Sequence, residues 1–100
     1  TRYVQLRDRY RGPWLRYGIA KGMLDGTVDA QTAAMLEPYA DTDATGLPFW
    51  SAAVLNRGVA RYDSAGLQVE LHAIGDKAVR LALDAYAQAR RVNGARDSRH

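Results

Sequence analysis

Two short stretches of the chain carry apolar residues in strand-like runs, and two longer ones repeat them at helical spacing. Tyr17 to Leu24 is short, mostly apolar and bounded by Asp25-Gly26, which predicts a buried strand. Gly18 and Gly22 weaken it. Leu67 to His72 alternates apolar and polar residues and predicts a second strand. Leu67, Val69 and Leu71 share one face; Gln68, Glu70 and His72 share the other. Between the two, Ser51 can cap a helix in which Leu55, Val59 and Tyr62 recur at helical spacing. Gly58 interrupts it at about 1 kcal/mol relative to Ala, and Gly66 ends it. A last helix is predicted from a cap at Asp76 to about Asn93, with Gly94 as its stop. Val79, Leu83, Tyr86 and Arg90 line one side of it, with Ala82 and Ala89 adjoining. Residues 1–16 hold no sustained period, and Gly12-Pro13 marks a turn. From Asp25 to about Trp50 the chain is irregular and rich in turn formers such as Asp41, Asp43, Gly46 and Pro48. One helical turn is expected at Thr32 to Leu36. Loops of this length inside a compact domain are usually functional.

Strand, long loop, helix, strand, helix is an α/β order, with parallel strands and right-handed crossovers. Two such strands leave two open edges and an uncovered face. One hundred residues also make only one modest core. The chain begins at Thr1 rather than Met and ends after the polar run Asn93 to Arg99. The expectation is therefore an internal, unclosed piece of a larger α/β structure, with poor stability of its own.

Composition narrows the chemistry. There is no Cys, which excludes a disulfide scaffold and a zinc-thiolate site. Any metal must be held by His, carboxylate or a modified side chain. No apolar run is long enough for a membrane span. The compartment is not fixed by the sequence, with the cytoplasm favoured. The net charge is +3. Much of the excess lies in Arg2, Arg7, Arg9, Arg11 and Arg16, interleaved with Tyr3, Tyr10, Trp14 and Tyr17. That pattern suits a nucleic-acid surface, but charge runs are usually solvated faces. A small basic binding module that contacts nucleic acid is the alternative class, and a truncated, inactive pseudogene product a second one. The preferred expectation is no nucleic acid and no membrane as partners.

In a parallel α/β barrel, active-site groups sit at the C-terminal ends of the strands. Lys21 and His72 fall at or near such ends. His72, before the turn Ala73-Ile74-Gly75-Asp76, is placed to offer a ring nitrogen to a metal, although a lone strand His is more often structural. Lys21 reads either as a snorkelling side chain or as a desolvated amine that carbon dioxide can carboxylate into an anionic ligand. Asp25 and Asp29 are candidates for substrate contacts or turns. Glu70 shares the His72 face and could orient that ring. No Gly-x-Ser-x-Gly elbow and no phosphate-binding glycine loop is present.

Several segments resemble the amidohydrolase superfamily, in the metal-dependent branch that includes N-substituted formamide deformylase. They are Gly18-Ile19-Ala20-Lys21-Gly22-Met23-Leu24-Asp25-Gly26, the run Thr32 to Asp41, and His72-Ala73-Ile74-Gly75-Asp76-Lys77-Ala78. Thr45 to Pro48 and Arg96 to His100 also look like that family. The resemblance implies a (β/α)₈ barrel of which residues 1–100 supply the middle, roughly strands four and five with their helices. It implies hydrolysis of a non-peptide carbon–nitrogen bond in a small amide-type substrate, with one or two divalent metal ions, zinc first among them. It makes Lys21, carboxylated, and His72 metal ligands. It also implies that the His-x-His of strand one, a further His beyond His100 and a general-base Asp lie elsewhere. The remainder of the barrel is then required, and the isolated chain carries no catalytic residue and no activity. Gly22 and Met23 stand where the family has a bulky residue and Phe, and Gln31 where it has Arg.

Overall fold

The computed structural model describes Arg2–His100. Helix α1 spans Arg2–Arg9, strand β1 Ile19–Met23, helix α2 Ala52–Ser64, strand β2 Gln68–His72 and helix α3 Asp76–Asn93. The strands are parallel and in direct register, Lys21 opposite Glu70 and Met23 opposite His72. The α/β order with a parallel pair is as the pattern of apolar residues implies.

Helix α2 begins at Ser51, whose side chain accepts from the Val54 N–H, and it closes before Gly66, which sits at φ 77°. Val69 and Leu71 point from β2 into the core, against Leu55 and Val59 of α2 and the stripe Ala78, Ala82, Ala85 and Ala89 of α3. Alanine at this repeat lets the two helices approach closely.

The buried side of α3 is thus the alanine stripe. Val79 and Leu83, on the side the spacing groups with Tyr86 and Arg90, are 42% and 61% exposed. The spacing identifies an amphipathic helix but does not say which of its sides is buried. The alanines face the core and α2, and the larger Val79 and Leu83 face outward.

Three further expectations are corrected. Residues 1–16 contain α1, which buries no residue. Polar contacts hold it instead: Tyr3 Oη donates to the Ile19 carbonyl and Arg7 Nη1 to that of Ala65 at the end of α2. Such a helix leaves no apolar period. Thr32 to Leu36 forms no helical turn; its backbone is spent on longer-range bonds, such as Met35 N–H to the Thr45 carbonyl. Asp76 is the first residue of α3 rather than its cap, which is Gly75. The Gly12-Pro13 turn is present, closed by a bridge between Arg11 and Arg16.

The helices cover one face of the sheet. The other carries Ile19, Lys21 and Met23 beside Gln68, Glu70 and His72, and the β1 members of this row are exposed. Overall the molecule measures 50 × 28 × 21 Å, with a radius of gyration of 15.6 Å, against about 13 Å for a compact domain of this length. It is a layer and a half rather than a closed domain.

Two glycines separate steric need from tolerance. A methyl on Gly75 would lie inside the Ala34 carbonyl, whereas Gly58 has open space around it. Gly75→Ala should lower stability by about 2–3 kcal/mol, and Gly58→Ala should raise it by up to about 1 kcal/mol. Urea unfolding midpoints of the two variants check this.

Candidate metal-ligand face and its anchoring carboxylate

The apolar run of β1 continues into Leu24 and then Asp25, both with no exposed surface. Burying a carboxylate demands that its oxygens be filled with donors. Asp25 Oδ2 accepts the N–H groups of Ala34 and Gly75, each at 2.8 Å, and Oδ1 accepts that of Ile74 at 2.9 Å. One side chain therefore joins the end of β1, the long loop and the β2–α3 turn. It also lies before the N-terminus of α3, where the helix dipole favours negative charge.

The loop in turn caps that helix. The Ala34 carbonyl accepts from Lys77 N–H at 3.1 Å and Ala78 N–H at 3.3 Å, and Asp76 Oδ1 accepts from Leu36 N–H at 2.8 Å. The two bonds to the Ala34 carbonyl fill α3 amides that have no partner within the helix, and the third ties the loop to the first residue of α3. They also explain why Ala33 and Ala34 are fully buried in an otherwise irregular segment.

His72 ends β2 two residues before this knot, with a quarter of its side chain exposed. Its Nε2 lies 3.0 Å from the Gly26 carbonyl oxygen and 4.0 Å from Asp25 Oδ1. A carbonyl only accepts, so Nε2 carries the proton. In the neutral ring the lone pair is then on Nδ1.

Lys21 and His72 share the face left bare by the helices, two register positions apart along the strands. Lys21 Nζ pairs with Glu70 Oε1 at 2.9 Å, both groups more than half exposed. Glu70 thus contacts Lys21 and has no recorded bond to the His72 ring. Asp29 is exposed on the turn at residues 28–31. The Thr27 side chain and nearby backbone N–H groups hold its carboxyl below the usual range. Gln31, in the position where the resemblance has Arg, adopts a left-handed φ of 55° and donates to Asp41 Oδ1 at 3.3 Å. Among the described residues, no cluster of three or more His, Cys, Asp or Glu side chains could hold a metal ion. His72 fits a metal site by its donor chemistry, but the chain alone supplies too few ligands for a four-coordinate one.

A second polar cluster lies toward the opposite ends of the strands. Buried Asp63 of α2 accepts from Asn93 Nδ2, from Arg96 Nε and Nη2, and lies 2.9 Å from His100 Nε2. His100 Nδ1 accepts the Val69 N–H at 3.0 Å, and its ring stacks on Tyr86. Sequence reading gave His100 no role and passed over Asp63. The groups that meet Asp63 lie thirty or more residues from it, so no local spacing announces them.

A parallel strand pair with helices packed on one face and a histidine at a strand end defines a small α/β unit. Residues 4–100 match the amidohydrolase family, to which the chain belongs. It is 38% identical over 88 residues to the exoenzymes regulatory protein AepA of Pectobacterium carotovorum. It is 33% identical over 97 residues to the putative amidohydrolase YtcJ of Bacillus subtilis. These alignments cover 88% and 96% of this chain. Among solved structures it resembles an uncharacterized metal-dependent hydrolase from Pyrococcus furiosus. That match has a TM-score of 0.71 and 35% identity, over 86% of this chain and 20% of the other. A second such hydrolase, from Pyrococcus horikoshii, gives a TM-score of 0.69 at 31% identity, over 84% and 19%. The chain spans 19% of the length of AepA and 18% of that of YtcJ.

Burial pushes the Asp63 carboxyl up, but hydrogen bonds from Asn93, Arg96 and His100 and the Arg96 charge outweigh it and hold the group below its usual 3.8. A lowered folded-state value contributes stability that is complete above 3.8 and is lost as pH falls through the folded value. Asp63→Asn should therefore cost about 2 kcal/mol at pH 7. It should also reduce the loss of stability below about pH 4. Urea midpoints from pH 7 down to pH 3 read both effects.

Proposed function

We propose that residues 1–100 are the middle of a (β/α)₈ barrel in a metal-dependent amidohydrolase, supplying roughly strands four and five and their helices. The observation that carries this reading is the one-sided sheet. Helices cover one face, and the bare face presents Lys21, Glu70 and His72 near the C-terminal ends of parallel strands. A barrel has helices outside, strand side chains inside and its active site at that end. Exposed Val79 and Leu83 on α3 and an apolar groove between β1 and α2, lined by Trp50, Val54 and Tyr62, fit surfaces meant for neighbouring units.

His72 is the first ligand, through Nδ1, with Nε2 held by the Gly26 carbonyl. A ligating His whose second nitrogen donates to a carbonyl is the usual support for a bound metal. Lys21 joins only when carboxylated, since an ammonium has no lone pair to give, and its ion pair with Glu70 must open first. The remaining ligands and the general base come from other parts of the barrel. A bound divalent metal, zinc first among the choices, lowers the pKa of water and polarises a carbonyl. The substrate is a small molecule with a non-peptide carbon–nitrogen bond of amide type, as in N-substituted formamide deformylase. The loop from Asp25 to Trp50 borders the barrel mouth and shapes its selectivity. The isolated chain is inactive.

Chelation should abolish hydrolysis of N-formyl and related amides by the full-length protein, and a divalent metal should restore it. His72→Ala should lower metal content and reduce kcat by about 100-fold or more. Hydrolysis that survives both exhaustive chelation and His72→Ala would refute the reading.

A further inference from the structure

We infer that Asp25 and Gly26 are positioning residues for His72, holding its ring in the one tautomer that turns Nδ1 toward a metal. This rests on the proposed metal-binding role of His72. The knot alone would explain Asp25 as a structural residue. The contact that goes further is that of Gly26, whose carbonyl lies 3.0 Å from His72 Nε2. The N–H of Gly26 is itself bonded to the Thr32 carbonyl at 3.1 Å. The peptide groups on both sides of Gly26 are therefore fixed by Thr32, whose carbonyl accepts from the Gly26 N–H and whose Oγ1 accepts from the Thr27 N–H at 3.0 Å. Asp25 acts on the ring from both ends. It sets the direction of the next carbonyl, and it anchors Ile74 and Gly75 just after the histidine.

Position 26 has to be glycine for this. A Cβ there would run into the Thr32 side chain, whose Cβ would lie 2.6 Å away. The peptide would have to turn, and its carbonyl would leave the ring. Asp25 also offers its own charge, with Oδ1 4.0 Å from His72 Nε2. It has no Lys or Arg partner among the described residues, so the groups nearest to it are backbone amides and this imidazole.

The test is the ring signal of His72 in the full-length protein labelled with ¹⁵N-histidine, recorded metal-free and with zinc at a pH where the ring is neutral. The proposal predicts a slowly exchanging Nε2 proton without metal, and with zinc a change at Nδ1 that leaves that proton in place. Gly26→Ala should give a mixture of tautomers and weaken zinc binding about 10- to 100-fold. The double variant Gly26→Ala/Thr32→Gly, which removes the clash together with the Thr32 Oγ1 acceptor of the Thr27 N–H, should recover both in part. Asp25→Asn should resemble Gly26→Ala; should that variant fail to fold, the Gly26 pair still decides. A proton on Nδ1, or a folded Gly26→Ala protein with unchanged ring signal and zinc affinity, overturns the proposal. The metal-binding role can fail separately. An ordered Nε2 proton that Gly26→Ala abolishes, in a protein that takes up no zinc, would keep the positioning role and refute the metal site. Zinc bound through Nε2 would do the reverse.

Discussion

The buried carboxylate of Asp25 is the constraint on which the rest of the arrangement depends. An acidic group with no exposed surface is tolerated only where the chain delivers donors to both of its oxygens. Here the donors are the amides of Ala34, Ile74 and Gly75, drawn from segments up to fifty residues apart. Satisfying that one group brings the irregular loop onto the N-terminus of α3 and sets the turn that follows β2. The Ala34 carbonyl then caps α3 in return. Because Gly75 lies against Ala34 with no room for a side chain, the closeness of that packing is specified by steric need as well as by hydrogen bonds.

The same constraint leads from fold to chemistry. His72 ends β2 just before the turn that Asp25 anchors, and it meets the carbonyl of the residue that follows Asp25. The ring is thus supported from the strand it belongs to and from the strand beside it. The Asp63 cluster serves the far side of the molecule. It ties the end of α2 to the segment after α3, and His100 fills a backbone donor on the edge of β2.

The regular elements were legible in the sequence where apolar residues alone determine them. Both strands, α2 with its Ser51 cap and the extent of α3 follow from alternation, helical spacing and punctuation by glycine. Membership of the amidohydrolase family was legible in Gly18 to Gly26, Thr32 to Asp41 and His72 to Ala78. What escaped was decided by polar contacts between distant residues. Helix α1 is held by Tyr3 and Arg7 without an apolar face. Asp25 looked like a turn or a substrate contact because its three partners are backbone amides, which leave no trace in residue types. Asp76 looked like a cap because its type and place suit one, yet the cap is Gly75 and the Asp76 carboxylate serves Leu36. The buried side of α3 was not fixed by the spacing, because alanine signals burial weakly and here alanine is what fits.

Amide hydrogen exchange at Ala34, Ile74 and Gly75 in the full-length protein tests the central role of Asp25 most directly. None of the three lies in a strand or helix ladder, so a loop without the carboxylate would exchange them rapidly. The account predicts that all three are protected together, to the level of the β2 amides, and that all three lose protection together in Asp25→Ala. Rapid exchange at these positions while β1 and β2 stay protected would contradict it.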